Sequence, residues 1–359
     1  MTIAYFAPIP FRFLKQRPQF LAEELSKKHD VYYVEPTIPL LRKLIKGGEL
    51  WYGKNEDITA SLHIIRANGF FTGHRMFDRI DFLRLNSLAE RIQIEKRIPK
   101  PDVFWIGYVG WYPVVSHFSG CLIYDKMDEN SLLASNEFLQ DHLATIEKSL
   151  LKRANIIFTT AKLLYENAKK VNENVFLVPN AVVKNRVPVK LSSDSNTDKR
   201  VYGYVGMIDH WFDLDTVRII VEADRNNYIE LVGPNNIPEF VHPRVKYTGL
   251  VESDRVMSMI DNFDVCLYPF KNSALLDTIN PVKIYEYLSM NKPIIAVDSK
   301  ETRQFGNRLH LYSNEETLYQ LVQTALPRPF ISDIDRVHFV GENCWEKRGN
   351  DILRIIERE

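Results

Sequence analysis

Short apolar stretches alternate with amphipathic stretches along almost the whole chain, and this alternation limits the folds that it can adopt. Stretches such as "NIIFTT" and "PIIAV" are apolar at consecutive positions, so strands formed there are buried on both faces. The stretches between them carry apolar residues at helical spacing, as in "QFLAEELSKKH". Strands that are buried on both faces and separated by helices form parallel sheets covered by helices. The sequence therefore predicts an α/β fold built from doubly wound parallel sheets.

The alternation is interrupted once, at residues 184–200, by the stretch "KNRVPVKLSSDSNTDKR". This stretch is polar and nearly free of large apolar residues, which is typical of an interdomain linker. The alternation then resumes. We therefore expect two Rossmann-like domains facing a cleft, an N-terminal one over 1–183 and a C-terminal one over 201–340. Residues 341–359 predict an amphipathic helix, which we expect to pack back on the N-terminal domain.

Composition excludes several classes of protein. The 359 residues include 46 basic and 46 acidic side chains, so no net field favours nucleic acid as a partner. Three cysteines lie far apart without a CxxC pair, which argues against a disulfide framework or a structural zinc site. The N-terminal stretch lacks a signal-peptide pattern, and no apolar run is long enough for a transmembrane helix. These features predict a cytoplasmic protein.

Six motifs follow one another along the chain: "KQRPQFLAEELSKKHDVYYVEP", "IYDKMDE", "YVGMIDHWFDLDTV", "IELVGP", "NPVKIYEYLSMNKPIIA" and "CWEKRGNDIL". In this order they resemble the two-domain GT-B glycosyltransferases, especially bacterial enzymes of surface-polysaccharide synthesis such as the teichuronic acid type. The resemblance implies a hexosyltransferase-type enzyme that needs no metal. It also implies a nucleotide-diphosphate sugar donor, UDP-linked in the first instance, and a saccharide or polyprenyl-linked acceptor.

The motif "NPVKIYEYL" places a cation and a carboxylate at the start of a helix that follows a strand. In doubly wound sheets, ligands bind outside the carboxyl ends of strands, often at helix N-termini. Lys283 would meet the donor phosphates, and the resemblance implies that Glu286 holds the ribose. Many relatives carry a second glutamate where this chain has Thr278, so we expect neighbouring Asp277 to contact the sugar. The alternative is that Lys283 and Glu286 form a solvated pair.

Glycines end two predicted strands of the C-terminal domain. Gly206, in "YVGMIDH", would let the backbone approach a phosphate closely, with the amides that follow, beginning at Met207, directed at it. Gly233, in "ELVGP", would give the nucleotide base a surface of backbone to lie against. The alternative for Gly206 is an ordinary tight turn between a strand and a helix.

Three acidic residues follow the apolar strand in "CLIYDKMDEN". Transfer to a hydroxyl with inversion needs a general base, usually a carboxylate. Asp128 is the first candidate and Asp125 the second. The alternative is that Asp128 or Asn130 begins the next helix as its N-cap. No histidine follows at ligand spacing, so we expect no metal site here.

Basic residues crowd the loop "APIPFRFLKQRPQ" after the first strand. Arg12, Lys15 and Arg17 would meet an acidic acceptor or a lipid diphosphate, unless they are simply solvated. The stretches 39–54 and 79–100 mix basic and apolar residues, which is typical of helices that lie on an anionic membrane surface. Ordinary amphipathic helices have the same pattern. We therefore expect a peripheral position at the inner face of the plasma membrane as an addition to the cytoplasmic location.

Two rival functions share this fold. A nucleotide-sugar epimerase would need acids and histidines clustered around the sugar, and the nine histidines do not cluster in the motifs. A non-catalytic scaffold of a polysaccharide assembly would keep the fold without the chemistry, and Thr278 in place of the common glutamate favours it. Transfer or hydrolysis of a nucleotide sugar separates these cases, because a scaffold would show neither.

Overall fold

The computed structural model describes residues 1–12, 15–39, 55–69, 91–92, 94–132, 137–188, 198–252 and 254–358. They form two compact units, Met1–Val178 with Gly349–Glu359, and Pro179–Arg348. The division after Val178 comes slightly before the boundary expected after residue 183. Most of the expected linker, and most of the two stretches predicted to meet a membrane, lie outside the described residues.

The first unit is built on a sheet whose described strands number eight. The strands are β1 (Thr2–Phe6), β2 (Asp30–Pro39), β3 (Glu56–Thr59), β4 (Leu62–Gly69), β5 (Val103–Ile106), β6 (Cys121–Lys126), β7 (Ile156–Thr159) and β8 (Val175–Leu177). Their order is β3-β4-β2-β1-β5-β6-β7-β8, and the β3–β4 pair is antiparallel while the others are parallel. The chain winds outward in both directions from β1 and β5, so the switch point lies between these two strands.

The described helices of the first unit cover this sheet. They are α1 (Arg17–Ser26), α2 (Tyr112–Val115), α3 (Glu137–Arg153) and α4 (Lys162–Lys169). Helix α1 begins with a capping box, in which the side chains of Gln16 and Gln19 each bond the other's backbone. Its buried face carries Leu21 and Leu25. All residues of β5 and β7 are buried, which explains why these strands are apolar at consecutive positions.

The second unit contains a sheet with six described strands. They are β9 (Arg200–Val205), β10 (Asn227–Val232), β11 (Val245–Gly249), β12 (Val265–Tyr268), β13 (Ile294–Val297) and β14 (His310–Tyr312). The order is β11-β10-β9-β12-β13-β14, and all pairs are parallel. The winding reverses between β9 and β12, so a ligand site is expected outside the carboxyl ends of these two strands.

Seven further described helices follow β9. They are α5 (Leu214–Ala223), α6 (Val256–Asp261), α7 (Val282–Ser289), α8 (Lys300–Arg303), α9 (Glu315–Val322), α10 (Asp333–Glu342) and α11 (Trp345–Ile356). Helix α11 belongs to the second unit up to Arg348 and to the first from Gly349 onward. The expected C-terminal helix therefore exists, although it begins after residue 341.

Alanine substitutions at two glycines of these helices should change the free energy of unfolding in opposite directions. A Cβ at Gly349 would lie 2.6 Å from the Cβ of Glu24 in α1, whereas a Cβ at Gly341 meets nothing within 4 Å. We expect Gly349→Ala to lower the free energy of unfolding by about 1–3 kcal/mol because the helices must separate. Gly341→Ala is expected to raise it by about 0.4–1 kcal/mol. Urea unfolding of both variants checks this, and equal stability of the two would contradict it.

Candidate functional site

Two glycine backbones lie against each other where β9 and β10 end. The amide of Gly206 donates to the carbonyl oxygen of Val232 at 2.9 Å, and the amide of Gly233 donates to that of Gly249 at 2.8 Å. A Cβ at Gly233 would lie only 1.9 Å from the carbonyl oxygen of Gly206, and the φ of Gly233 is +138°. No side chain fits at position 233, so bare backbone forms this part of the site.

Met207 follows directly and is partly exposed, with 37% of its surface accessible. Its carbonyl oxygen accepts a hydrogen bond from the Tyr204 hydroxyl at 3.0 Å, which fixes the turn after Gly206. The structure therefore brings Gly206, Met207 and Gly233 together at the switch strand β9. Their role in holding a donor stays a prediction.

The loops after the two switch strands are bonded to each other. The amide of Asp213 donates to the carbonyl oxygen of Pro269, and the amide of Lys271 donates to that of Trp211, both at 2.8 Å. The Asp213 side chain also caps α5 by accepting from the Asp215 amide at 3.1 Å. These bonds hold the loops that follow β9 and β12 together beyond the carboxyl ends of the two strands.

One carboxylate in this loop pair stays ionised over the ordinary pH range. Hydrogen bonds from the Asn236 side chain at 2.7 Å and from the His210 amide and ring lower the pKa of Asp209 to about 2. Since the carboxylate is already occupied by these donors, its evident role is to hold the loop in shape.

Helix α7 is tied to the end of β9. The Val205 amide donates to the hydroxyl of Tyr287, on α7, at 2.9 Å. On the same helix, Lys283 Nζ lies 2.9 Å from Glu286 Oε2, and 29% and 17% of the two side chains are exposed. The ion pair that the sequence analysis gave as the alternative is therefore present and reached by solvent, and the donor-binding roles of Lys283 and Glu286 stay a prediction. An anionic ligand would compete with Glu286 for Lys283, which would leave Glu286 able to accept from hydroxyls.

Asp277 has a partner of its own. Its Oδ1 accepts from the Lys300 amide at 3.0 Å, and its Oδ2 lies 3.4 Å from Lys300 Nζ. Beside it, Thr278 is buried and donates to the carbonyl oxygen of Leu275 at 2.7 Å. These bonds attach Asp277 to the start of α8, and its predicted contact with the donor sugar stays a prediction.

In the first unit, Arg17 and Asp125 form a buried ion pair. Arg17 donates from Nη2 to Asp125 Oδ1 at 2.8 Å and from Nε to Oδ2 at 3.0 Å, and it also donates to the carbonyl oxygen of Val178. Both side chains are almost inaccessible, with 3% and 0% exposed. This corrects two predictions: Asp125 is poorly placed to act as a base, and Arg17 is poorly placed to meet an acceptor. Both hold α1 on β6.

The other two basic residues of the first loop also have acidic partners. Arg12 pairs with Glu56, and Lys15 Nζ lies 2.5 Å from Glu23 Oε2. These pairs are at the surface, since 68% of the Arg12 side chain is exposed. An acceptor phosphate would have to displace Glu56 or Glu23, so the acceptor role of Arg12 and Lys15 stays a prediction.

Asp128 is half-buried and differs from Asp125 in its surroundings. Burial raises the pKa of Asp128 to about 6, with a smaller raising effect from Asp125, while Lys126 and Arg17 act in the opposite direction. A carboxylate with this pKa is ionised at neutral pH and is more basic than an ordinary aspartate, as a general base requires. Residues 130–132 form a turn, so Asp128 does not begin a helix as the alternative proposed.

The structure adds a buried polar group beside Asp128 that sequence reasoning missed. Lys126 Nζ lies 2.6 Å from Glu147 Oε1, 3.2 Å from Glu129 Oε2 and 3.5 Å from the carbonyl oxygen of Asp128. The Tyr124 hydroxyl donates to the same Glu147. This group fixes the turn that carries Asp128.

One signal for this group was present in the sequence. Glu147 lies on α3 between Leu143 and Leu150, which are both buried. A carboxylate at helical spacing between two buried leucines faces the core, and it therefore needs a buried partner.

The raised pKa of Asp128 predicts a pH dependence of stability. The ordinary pKa of 3.8 applies to the unfolded chain, and the folded value is about 6. Between these values the folded state keeps a proton that the unfolded state has lost, so stability falls as pH rises, by ~1.4 kcal/mol per unit at most. Asp128→Asn removes this loss, so we expect the variant to be more stable than the natural protein by about 1–3 kcal/mol at pH 7.5. Near pH 4 the difference should vanish in urea unfolding, and an equal difference at both pH values would contradict the assignment.

The described part of the chain offers neither a metal cluster nor a membrane-spanning helix. There, no group of three or more His, Cys, Asp or Glu side chains is arranged to hold a metal ion. Among the same residues, every helix is too short or too polar to cross a membrane.

Comparison with known proteins gives a weak sequence match. No family model matches this chain. A Bacillus subtilis protein, named as the teichuronic acid biosynthesis glycosyltransferase TuaH on a provisional basis, is 21% identical over 224 residues. The match covers 58% of this chain and 54% of that protein, so it spans about half the length of this relative.

Solved structures match over nearly the full length. Sucrose-phosphate synthase from Thermosynechococcus elongatus has a TM-score of 0.71 at 12% identity, covering 99% of this chain and 98% of its own. Anabaena HepE, in complex with UDP, has a TM-score of 0.67 at 12% identity, covering 100% of each chain. A UDP-forming α,α-trehalose-phosphate synthase from Burkholderia xenovorans, in complex with glucose-6-phosphate, has a TM-score of 0.71 at 9% identity and covers 99% of each. These likenesses confirm the predicted fold class, the GT-B fold with two doubly wound domains.

Proposed function

We propose that this protein is a glycosyltransferase. It moves a sugar from a UDP-linked donor to a saccharide or lipid-linked saccharide in the synthesis of a cell-surface polysaccharide. The observation that carries the proposal is the close approach of Gly206 and Gly233 at the switch point of the second sheet, with Lys283 and Glu286 on the helix tied to the same strand end. The fold and the matched proteins, several of which bind UDP or UDP-sugars, support it.

The donor would bind to the second unit. The Met207 amide, which follows the turn at Gly206, would donate to the diphosphate, and Lys283 would supply a cation. Glu286, once Lys283 turns to phosphate, would accept hydrogen bonds from the ribose hydroxyls. Preorganised donors of this kind stabilise the charge that develops on the departing UDP. We therefore expect the reaction to proceed without a metal ion.

The first unit would supply the base. Asp128, ionised at neutral pH, would take the proton of the acceptor hydroxyl as its oxygen bonds to the anomeric carbon and the bond to UDP breaks. Such a base belongs to a reaction with inversion at that carbon. Determining the anomeric configuration of the product by NMR would test this assignment, and retention would exclude it.

The proposal includes a location. We place the protein in the cytoplasm, peripherally at the inner face of the plasma membrane, where polyprenyl-linked acceptors are found. The mixed basic and apolar stretches 39–54 and 79–100 support this placement. Sedimentation with vesicles containing anionic lipid should carry the protein down at low salt and release it at high salt. Absence from the vesicle pellet would remove this part of the proposal.

Release of UDP from UDP-sugars tests the function. The purified protein is incubated with UDP-glucose and other UDP-sugars, with and without an extract of polyprenyl-linked saccharides, and free UDP and labelled lipid are measured. We expect acceptor-dependent release that Glu286→Ala abolishes and Glu222→Ala, on the exposed side of α5, leaves unchanged. A folded protein that neither transfers nor hydrolyses any donor would favour the scaffold.

A further inference from the structure

A cavity lies within the second unit, beside helices α7 and α10. Its volume is about 580 Å³, and its walls include Tyr285, Phe305, Arg308, Phe330 and Phe339. Pockets of roughly 300–1,000 Å³ lined by aromatic groups and a few polar ones are typical of small-molecule sites.

This cavity is distinct from the proposed donor site. Successive helical residues are about 100° apart, so Lys283 and Glu286 lie on one face of α7, about 60° from each other. Tyr285 is about 160° from Lys283 and 100° from Glu286 on the same helix. The cavity that Tyr285 lines therefore lies on a different side of α7 from the ion pair.

The aromatic wall of the cavity is rigid because its rings pack on one another. The rings of Tyr285 and Phe305 meet edge to face at 5.1 Å, and those of Tyr285 and Phe339 are stacked at 6.3 Å. Phe330 and Phe339 lie 5.3 Å apart. A ligand would therefore meet a preformed apolar surface, which lowers the entropy lost on binding.

Arg308 is held on this wall without an anionic partner. Its guanidinium lies 5.5 Å from the ring centre of Phe330 and 5.7 Å from that of Phe339. Within the described part of the chain, the guanidinium makes no hydrogen bond and no ion pair. Of the two carboxylates that line the cavity, Asp335 accepts from Ser332 instead, and Glu342 is exposed. The two rings thus orient the planar guanidinium group of Arg308, and its N–H groups stay available to donate to an anion.

We infer that this cavity is a second ligand site, which binds a small organic anion through Arg308 and the aromatic wall. The phosphate or carboxylate group of the ligand accepts from the Arg308 guanidinium, and its apolar or planar body lies against Phe339, Phe330 and Tyr285. The site needs neither the donor nor the acceptor of the proposed reaction, so its occupancy is independent of that function.

Phenyl phosphate and benzoate serve as probes, with phenol as the neutral control. Binding to the full chain is followed by calorimetry, first without UDP and then with UDP added. We expect saturable binding of at least one anion and none of phenol. Arg308→Met should weaken that binding about tenfold or more, because a charge-assisted contact is lost. The matched variant Arg218→Met, at an exposed arginine of α5, should bind as the natural protein does.

Arg308→Lys is a second variant that tests the site even if Arg308→Met does not fold. It keeps the charge but not the planar fork, so we expect binding of intermediate strength and a melting temperature near that of the natural protein. A phosphate site and a carboxylate site are told apart by which probe binds. The proposal is overturned if neither anion binds, if a folded Arg308→Met binds as tightly as the natural protein, or if UDP displaces the probe.

Discussion

Replacing Asp128 by asparagine is expected to lower the rate of sugar transfer by about 10²–10⁴-fold, the range that a general base contributes. The amide keeps the size of the side chain but cannot take the proton of the acceptor hydroxyl. The measurement is the release of UDP in the presence of acceptor. Asp141→Asn, at an exposed carboxylate of α3, is the matched control and should keep full activity.

The pH dependence of the transfer rate provides a second test of Asp128. The carboxylate of Asp128 protonates near pH 6, so the rate of the natural protein should fall below this pH. The residual rate of Asp128→Asn should not follow this profile. A variant that retains the full rate, or the same profile in both proteins, would remove Asp128 from the mechanism.

Replacing Arg17 by methionine is expected to lower the free energy of unfolding by about 3–5 kcal/mol. The variant leaves Asp125 charged and fully buried, without the three hydrogen bonds from Arg17 that compensate it. It also leaves the carbonyl oxygen of Val178 without this donor. Urea unfolding followed by circular dichroism measures the loss.

An exposed ion pair from the same loop is the control. Arg12→Met breaks the pair with Glu56, which is accessible to solvent, and should lower stability far less than Arg17→Met does. The double variant Arg17→Met/Asp125→Leu should recover part of the stability, because an apolar pair replaces the uncompensated charge. An Arg17→Met protein as stable as Arg12→Met would show that the pair contributes little.

Much of the fold could be predicted from the sequence because burial on both faces leaves a local pattern. Strands such as β5 and β7 are apolar at every position, and this marks a sheet covered by helices. The antiparallel edge strand β3, Glu56–Thr59, gave no such signal because its exposed residues are polar. The domain boundary could be predicted only to within a few residues, because a polar stretch shows where a linker lies but not at which residue a domain ends.

The candidate site was predictable where it depends on position along one strand or helix. Gly206 and Gly233 follow strand ends, and Lys283 and Glu286 are one helical turn apart, so their proximity can be read locally. The partner of a charge cannot be read in this way. Arg17 and Asp125 are separated by 108 positions, and only the fold shows that they neutralise each other and are buried.

The donor site is tested most directly by calorimetric titration of UDP, GDP, TDP and ADP into the natural protein, Glu286→Gln and Glu222→Gln. We predict that UDP binds best, that Glu286→Gln weakens its binding about tenfold or more through the lost charge-assisted bonds to ribose, and that Glu222→Gln binds as the natural protein does. If no diphosphate binds a folded protein, or if Glu286→Gln binds UDP unchanged, the assignment of this site is contradicted.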